Sequence, residues 1–364
     1  LAKQGQFSAR PNPAVGCVIT QQQRVIAEGW HQKAGEPHAE RVALASAVES
    51  VKGATVYVTL EPCSHFGRTP PCADALVDAG VARVVVAMQD PNPQVSGSGI
   101  RRLQEAGIQV EVGLLAFEAE VLNKGFNFVM RHQRPLVQLK LASSLDGRTA
   151  MASGESQWIT GAESRQKVQW LRAEQDAMLT GIGTVLHDDP SLTVRLNQVD
   201  LDEQHFYRSA QQQPIRVVLD SALQLPLTAK LIDLPGQVVV ICAQSAFDAQ
   251  SQKRSELEQK GVAVHAVAEQ NGRLDLNAVL AILEQSYQVQ RVMVEAGATL
   301  AGAFVQANLV DELHVFMAPI LLGHEAKPLF FLPGLVKMDD KLGFNVQSIE
   351  PLGSDIYMQL TPKQ

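Results

Sequence analysis

Short runs of β-branched and aliphatic residues alternate with helical stretches along most of this 364-residue chain. In the first 130 residues the predicted strands are "AVGCVIT" and "RVIAEGW", a hairpin around a polar turn, then "ATVYVTL", "RVVVAM" and "IQVEVG". Helices are predicted from near His38 in "HAERVALASAVES", in "ADALVDAG" and in "GIRRLQEAG". Because alternating strands and helices usually build a largely parallel sheet covered by helices, we predict an α/β fold.

This alternation is interrupted at "MRHQRP", residues 130–135, which is basic, polar and closed by proline, as is typical of a linker. A chain of this length accommodates two ordinary domains, so we predict one over residues 1–130 and another over 135–364. The second domain again alternates, with strands at "LVQLKLA", "IRVVLD", "QVVVICA", "RVMVEAG" and "ELHVFMAP". The polar residues 197–213 are predicted to be a surface excursion.

Composition and charge argue against several classes of protein. The content of 46% hydrophobic and 19% charged residues is that of a globular protein rather than a disordered one. Four cysteines are too few for a disulfide scaffold, and no run of 18 or more apolar residues indicates a membrane span. No secretory segment opens the chain, which begins at Leu1, so we expect a reduced, cytoplasmic protein whose first residues are missing. The net charge of −7 argues against a general nucleic-acid binder.

Two of the four cysteines, Cys63 and Cys72, lie together in "LEPCSHFGRTPPC", downstream of His38 and Glu40 at a predicted helix start. One His and two Cys can supply three zinc ligands, which leaves one coordination position open, as in catalytic sites. Water bound to such a metal is a nucleophile near neutral pH, and Glu40 is near enough to carry its protons. This order of H-x-E, P-C and a second Cys is that of zinc deaminases, although eight residues here separate the cysteines instead of two.

The residues alone leave other interpretations of this cluster. Cys63 and Cys72 could form a disulfide, which a reducing compartment disfavours, or they could hold structural zinc with His65 or His31 as fourth ligand. We expect His31 at the surface. Buried cysteines without metal are the commonest case for a single cysteine, and we adopt this interpretation for the two in apolar strands, Cys17 and Cys242.

Longer stretches of the sequence resemble one known family. "RPNPAVGCVI", "GEPHAE", "VTLEPCSHFGRTPPC" and "MQDPNP" resemble the deaminase half of the bifunctional riboflavin-biosynthesis deaminase/reductases. "KLASSLDGRTA", "GESQWIT", "DDPSLTVR" and "VEAGATLAGA" resemble the reductase half, so the resemblance covers essentially the whole chain. It implies a cytidine-deaminase-like three-layer αβα domain, with its first helix apparently truncated to "LAKQGQ", and a C-terminal dihydrofolate-reductase-like domain. The long cysteine spacing is this family's form of the zinc motif.

The resemblance also implies two reactions. The first domain would remove the 2-amino group of 2,5-diamino-6-(phosphoribosylamino)pyrimidinone as ammonia, with one zinc ion per chain on His38, Cys63 and Cys72 and with Glu40 as proton carrier. Asn12 would hold the pyrimidine edge, and the phosphate would be met by His65 and Arg68. The second domain would reduce the ribosyl chain to ribityl with NADPH.

Two Gly-rich turns follow predicted strands in the second domain, in "LTGIGTVL" and "VMVEAGATLAGAF". Such turns let backbone N–H groups approach a phosphate, but neither is G-x-G-x-x-G, and no acidic residue follows at the spacing of a Rossmann domain. Each alone is better explained as a packing glycine, whereas both together favour an anion-binding cleft.

The family resemblance implies the ligands of this cleft. NADPH would contact Ala142, Trp158, Thr184, Asp188, Ser221, Gly297, Ala298, Thr299, Leu300, Ala301, Gly302 and Ala303. The substrate would contact Ser156, Arg172, Leu192, Arg195 and Glu295, and Lys140 would polarise the sugar oxygen. From the residues alone, Trp158 is better explained by core packing and Arg172 by a solvated helix face.

Three functions compete. The first is the bifunctional enzyme acting on a small phosphoribosylaminopyrimidine, without nucleic acid or membrane partners, and we expect it to be a homo-oligomer, a dimer or a tetramer. The second is a single-activity zinc nucleobase deaminase with a C-terminal nucleotide-binding module. If its substrate were a nucleic acid, basic patches with interleaved aromatics would be expected, but aromatics are 5% of the chain. The third is a zinc-stabilised protein without catalysis.

Overall fold

The computed structural model describes residues 1–64, 70–93, 95–195, 213–270 and 272–363. The described residues divide into two compact units, one formed by residues 1–133 and the other beginning at Arg134. None of the helices in this part of the chain has the length and apolar character needed to span a bilayer.

The first unit is built on a five-stranded sheet in the order β2-β1-β3-β4-β5. Its strands are β1 (Gly16–Gln21), β2 (Arg24–Trp30), β3 (Thr55–Val58), β4 (Arg83–Val86) and β5 (Gln109–Val112). Its helices are α1 (Ala39–Ser46), α2 (Cys72–Asp78), α3 (Ser98–Glu105), α4 (Ala116–Leu122) and α5 (Lys124–His132), after a 3₁₀-helix at Ala2–Gly5.

This sheet is largely parallel, as the alternation predicts, with one reversed strand. The β1–β2 hairpin is confirmed, and β1 is also antiparallel to β3, so β2, β3, β4 and β5 all run in one direction and β1 runs in the other. Alternate residues of the strands, such as Ile19 and Val56, are buried against Ala43 of α1, Leu76 of α2 and Leu103 of α3. The pairing brings the end of β3 beside the start of α1, where the candidate zinc ligands lie.

The second unit contains a nine-stranded sheet in the order β11-β10-β9-β8-β14-β6-β15-β18-β17. These strands are β6 (Leu136–Ser144), β8 (Ala177–Gly181), β9 (Ile215–Leu219), β10 (Val238–Ala243), β11 (Val262–Val267), β14 (Arg291–Glu295), β15 (Glu312–Ala318), β17 (Phe344–Leu352) and β18 (Asp355–Pro362). Short pairs are formed by β7 (Arg148–Ala150) with β16 (Lys327–Pro328), and by β12 (Glu269–Gln270) with β13 (Arg273–Leu274). The helices are α6 (Ala162–Ala173), α7 (Ile182–Asp188), α8 (Lys230–Asp233), α9 (Gln244–Ala249), α10 (Ser251–Gln259), α11 (Leu276–Tyr287) and α12 (Ala298–Gln306), with a 3₁₀-helix at Met338–Asp340.

The central strands of this sheet are buried on both faces, as their near-continuous apolar runs predict. Leu139 and Val294 pack with Phe304 of α12 on one face, whereas Met178 and Met293 pack with Leu171 of α6 on the other. The strands from β11 to β15 in the sheet order run parallel, so their carboxyl ends meet at one edge. Ligands of open α/β sheets bind outside this edge.

One boundary differs from the prediction. The segment at 130–135 is not a linker throughout, because α5 continues to His132 and the division between the units falls at residues 133 and 134. The basic residues Arg131 and His132 occupy the last turn of that helix, where cations are favourable near the helix C-terminus. The predicted excursion at 197–213 lies outside the described residues except for its last residue, Gln213.

Candidate active sites

His38, Cys63 and Cys72 come together in the first unit. His38 precedes the first residue of α1, Cys63 follows β3, and Cys72 is the first residue of α2. Their ligand atoms all lie within 4.8 Å of one another, with His38 Nδ1 3.6 Å from the Sγ of Cys63 and 3.5 Å from that of Cys72. The predicted cluster is therefore present. Among the described residues, it is the one group of three or more His, Cys, Asp or Glu side chains placed so that they could hold a metal ion.

Hydrogen bonding favours a thiolate in this cluster. The Cys72 thiol and then His38 lower the pKa of Cys63 to about 4, against an opposing effect of burial. The backbone N–H of Cys72 also donates to Cys63 Sγ at 3.3 Å. In turn, the hydrogen bond with Cys63 raises the pKa of His38. Two sulfurs and an imidazole nitrogen are the donors that zinc prefers, so the residues fit the metal.

Glu40 lies in the first turn of α1 and is 3% exposed. Burial raises the pKa of its carboxyl to about 7. A carboxyl with a pKa near neutrality can both accept and return a proton, which is the property required of a general acid/base group.

The prediction that His31 lies at the surface is wrong. The residue is 2% exposed, and its ring lies 5.2 Å from that of His38. Its Nδ1 lies 3.1 Å from the carbonyl of Pro37, which can only accept, so Nδ1 carries a proton. Burial lowers the pKa of His31, so in the neutral ring Nε2 accepts from Nδ2 of Asn12 at 3.0 Å. Both ring nitrogens are thus occupied, which argues against His31 as a fourth zinc ligand.

The remaining expectations for this site have mixed outcomes. His65 and Arg68 lie outside the described residues. None of the four cysteines is in a disulfide, so the disulfide alternative is wrong, and Cys17 and Cys242 are buried in their strands.

Glu61 is a residue of this site that the sequence analysis missed. Its carboxylate is 4% exposed and accepts four backbone N–H groups, from Asp90, Gly97, Gly99 and Ile100, at 2.9–3.2 Å. These bonds tie the loop before α3 to the strand end that carries Cys63. In the sequence, Glu61 is visible only as a carboxylate directly before the Pro-Cys pair. Its role could not be predicted, because its hydrogen-bond partners lie far away in the sequence.

A second site is a cavity of about 1300 Å³ in the other unit. It exceeds the usual range for a single small ligand, so it has room for a cofactor together with a substrate. The predicted residues that line it are Lys140, Ala142, Ser156, Trp158, Arg172, Thr184, Asp188, Leu192, Arg195, Ser221, Glu295, Gly297, Ala298, Thr299, Leu300 and Ala303. Ala301 and Gly302 instead face the interior, and Gly302 is a packing glycine because a Cβ there would lie 2.0 Å from the carbonyl oxygen of Phe331.

A buried cluster of charges forms one wall of this cavity. Lys140 of β6 and Glu295 of β14 are paired in register, and Lys140 Nζ lies 3.9 Å from Glu295 Oε2. Arg172 of α6 binds the same carboxylate with two hydrogen bonds, at 2.7 and 2.9 Å, and donates a third to the carbonyl of Thr193 at 3.0 Å. Burial would raise the pKa of Glu295, but Arg172 and Lys140 outweigh it and hold the pKa at about 2.

The exposure of Trp158, Arg172 and Arg195 decides between the remaining interpretations. Trp158 is 67% exposed, so core packing is excluded, and the guanidinium of Arg165 lies 4.9 Å above its ring. Arg172 is 8% exposed, so a solvated helix face is also excluded. Arg195 is exposed, which leaves its guanidinium accessible to a ligand. The sequence analysis missed Arg165, which also lines the cavity.

Two family models match the chain. The cytidine and deoxycytidylate deaminase zinc-binding region matches residues 1–88, and the RibD C-terminal domain matches residues 135–358. The first range contains the His38, Cys63 and Cys72 cluster, and the second contains every residue that lines the cavity.

Whole proteins give the same result. The riboflavin biosynthesis protein RibD of Escherichia coli is 51% identical over 361 residues, which are 99% of this chain and 96% of that protein. This chain belongs to the RibD family. The RibD of Haemophilus influenzae is 44% identical over 377 residues, covering 100% of this chain and 95% of that protein.

Solved structures of RibD proteins share the fold over the full length. RibD of Acinetobacter baumannii is 46% identical with a TM-score of 0.87, covering 100% of this chain and 96% of that one. The diaminohydroxyphosphoribosylaminopyrimidine deaminase/5-amino-6-(5-phosphoribosylamino)uracil reductase of Thermotoga maritima is 32% identical with a TM-score of 0.82, at the same coverage.

As a RibD protein, this chain is a bifunctional enzyme of riboflavin biosynthesis, a zinc-dependent hydrolytic deaminase and an NADPH-dependent reductase. The predicted fold class is confirmed, with a cytidine-deaminase-like unit followed by the reductase unit. The alternative of a single-activity deaminase is not favoured, because the reductase family model spans residues 135–358.

Proposed function

We propose that this chain deaminates 2,5-diamino-6-(phosphoribosylamino)pyrimidinone and then reduces the ribosyl chain of the product to ribityl. One observation carries the proposal: a zinc-binding cluster beside a buried carboxyl of pKa about 7 occurs in the same chain as a cavity large enough for a nucleotide cofactor and a substrate. The name of the Thermotoga maritima relative specifies these two reactions for that protein. We assign deamination to residues 1–130 and reduction to residues 135–364.

In the deaminase site, His38, Cys63 and Cys72 would hold the metal, and zinc bound there supplies Lewis-acid activation of water. Glu40 takes a proton from the attacking water and returns it to the departing amine, so the C–N bond is replaced by C–O and ammonia leaves. Asn12 donates its amide N–H to His31, which leaves its amide oxygen to accept from a ring N–H or amino group of the pyrimidine. His65 and Arg68 bind the phosphate.

In the reductase site, NADPH supplies the hydride when bound. Lys140 donates a proton to the sugar oxygen. Arg195 binds the substrate phosphate, because its guanidinium is exposed at the cavity mouth. Arg172 acts through Glu295, which it orients with two hydrogen bonds. Ser156 and Leu192 complete the substrate pocket.

A second set of residues lining the same cavity would hold the cofactor. NADPH would contact Ala142, Trp158, Thr184, Asp188 and Ser221, together with Gly297 and the first residues of α12 as far as Ala303. Ala301 and Gly302, on the interior side of this helix, support it. We further propose that the enzyme works in the cytoplasm as a dimer or tetramer, and binds neither nucleic acid nor membranes.

Separate assays of the two reactions test the assignment. Cys63→Ser removes one sulfur ligand, so we expect it to lose both zinc and ammonia release while still oxidising NADPH with the deaminated substrate. Zinc content and both rates are measured on one preparation. Cys242→Ala serves as the matched control, since Cys242 lies in the other unit and is not part of the cluster. Stoichiometric zinc in Cys63→Ser would show that the ligand set is wrong.

A further inference from the structure

The cavity has an end that the residues discussed so far do not explain. The hairpin β12–β13 follows β11, and Gln270, Gly272, Arg273 and Leu274 of this hairpin line the cavity together with Ser221, which follows β9. In the sheet order, β11 is five strands away from β6, which carries Lys140. The hairpin is therefore at the opposite end of the cavity from Lys140.

The cations that line the cavity are unevenly distributed. Lys140 and Arg172 share the single carboxylate of Glu295, and Arg165 stacks on Trp158. Arg195 also lines the cavity and is assigned above to the substrate phosphate. Lys327 lies near Gly154, where a Cβ would be 3.4 Å from its Nζ. Among the described residues that line the cavity, the β12–β13 hairpin contributes one positively charged side chain, Arg273. This side chain is exposed.

Arg273 has no carboxylate of a described residue within ion-pair distance. The acidic residue nearest to it in sequence is Asp275, whose carboxylate caps α11. Asp275 accepts from the backbone N–H groups of Asn277 and Ala278 at 2.9 and 3.3 Å, and from the side-chain amide of Gln270 at 2.9 Å. The Arg273 guanidinium thus keeps its fork of donors available for an anion in the cavity.

We propose that Arg273 binds the 2′-phosphate of NADPH and so selects NADPH over NADH. A planar guanidinium matches a phosphate with two parallel hydrogen bonds, and an arginine beside the adenosine ribose is a common means of accepting a 2′-phosphate. The inference rests on the proposed reductase function, which places the nicotinamide near Lys140 and so directs the adenosine toward the hairpin.

Direct binding measurements test this assignment without turnover. NADPH and NADH are titrated by their fluorescence into the full chain and into Arg273→Ala. Loss of a charge-assisted pair should raise the Kd for NADPH about 10-fold or more, and leave the Kd for NADH unchanged. Adenosine 2′,5′-bisphosphate should compete with NADPH on the wild-type protein and lose that ability on the variant, whereas Arg273→Lys should fall between the two.

Two further variants make the test specific. Lys260→Ala removes an exposed cation that does not line the cavity and should bind both cofactors as the wild type does. Lys327→Ala removes the competing cation, and a loss of NADPH affinity confined to that variant would overturn the assignment of Arg273. An equal loss for NADPH and NADH in Arg273→Ala, or no loss, would also overturn it. A wild-type protein that binds neither cofactor would instead overturn the reductase function itself, and this assignment with it.

Discussion

Glu295 is a buried carboxylate held between two cations, Arg172 at 2.7 Å and Lys140 at 3.9 Å. Its removal would leave the guanidinium of Arg172 buried without a counter-charge. Breaking a buried pair in this way costs about 3–5 kcal/mol, far more than the loss of a surface pair. The site therefore makes catalytic geometry and stability depend on the same side chain.

Glu295→Gln should lower the free energy of unfolding by about 3–5 kcal/mol near pH 7. Urea denaturation of the full chain measures the difference. Glu325→Gln, at an exposed carboxylate, is the matched control and should have almost no effect.

The same pair gives a pH dependence with a defined sign. The pKa of Glu295 is lowered from 4.5 to about 2, so its stabilising contribution is fully present above about 4.5 and is lost as the pH falls through 2. The stability difference between wild type and Glu295→Gln should shrink across that interval. A difference that stays constant between pH 5 and pH 2 would show that the pair does not hold the carboxylate ionised.

At the scale of elements, hydrogen bonds and close packing hold the start of α3 against Glu61 and Pro62, the two residues before the zinc ligand Cys63. Glu61 accepts N–H groups from Gly99 and Ile100 at that helix start, and a Cβ on Gly99 would lie 1.9 Å from the carbonyl oxygen of Pro62. Pro62 directly precedes Cys63, so close packing of α3 fixes the position of a zinc ligand.

Gly99→Ala should therefore displace Pro62 and weaken zinc binding. Overpacking of this kind typically costs about 1–3 kcal/mol, and here the shift is transmitted to Cys63. Zinc affinity by competition with a chelator and thermal unfolding are the two measurements. Arg101→Ala, an exposed change in the same helix, should leave both unchanged. Unaltered zinc affinity in Gly99→Ala would separate the helix from the metal site.

The elements that the sequence predicted well are those whose surroundings are simple. The strand β10 is a continuous apolar run, and β4 and β9 are apolar except for one arginine each, because all three are buried in parallel parts of their sheets. The zinc ligands fall at a strand end and two helix starts. The direction of β1 relative to β3 could not be predicted, since an alternating pattern does not encode it.

Other features depended on distant partners. His31 is buried because Asn12 and Pro37 satisfy its ring nitrogens, and a lone histidine gives no sign of this. Similarly, the basic end of α5 has the composition of a linker because cations suit a helix C-terminus. Glu61 and the pairing of Arg172 with Glu295 appear only when the elements that carry them are brought together.

At the scale of the whole molecule, the chain divides at residues 133 and 134, and each unit has its own hydrophobic core. A fragment of residues 135–364 should fold alone and oxidise NADPH when given the deaminated substrate. Circular dichroism and NADPH oxidation are measured on the fragment and on the full chain. A folded fragment without this activity would mean that the reductase site needs the first unit.

The central claim is that one chain carries two independent chemistries, and Glu40→Gln tests it most directly. The variant keeps His38 and both cysteines, so it should retain zinc. General acid/base catalysis typically raises a reaction rate roughly 10²- to 10⁴-fold, so the rate of ammonia release should fall by at least about 10²-fold. NADPH oxidation with the deaminated substrate should be unchanged, because the reductase residues lie in the other unit. Zinc content and both rates are measured on one preparation. Normal ammonia release from zinc-replete Glu40→Gln would contradict the account, since Glu40 would then be only a buried carboxyl at a helix start.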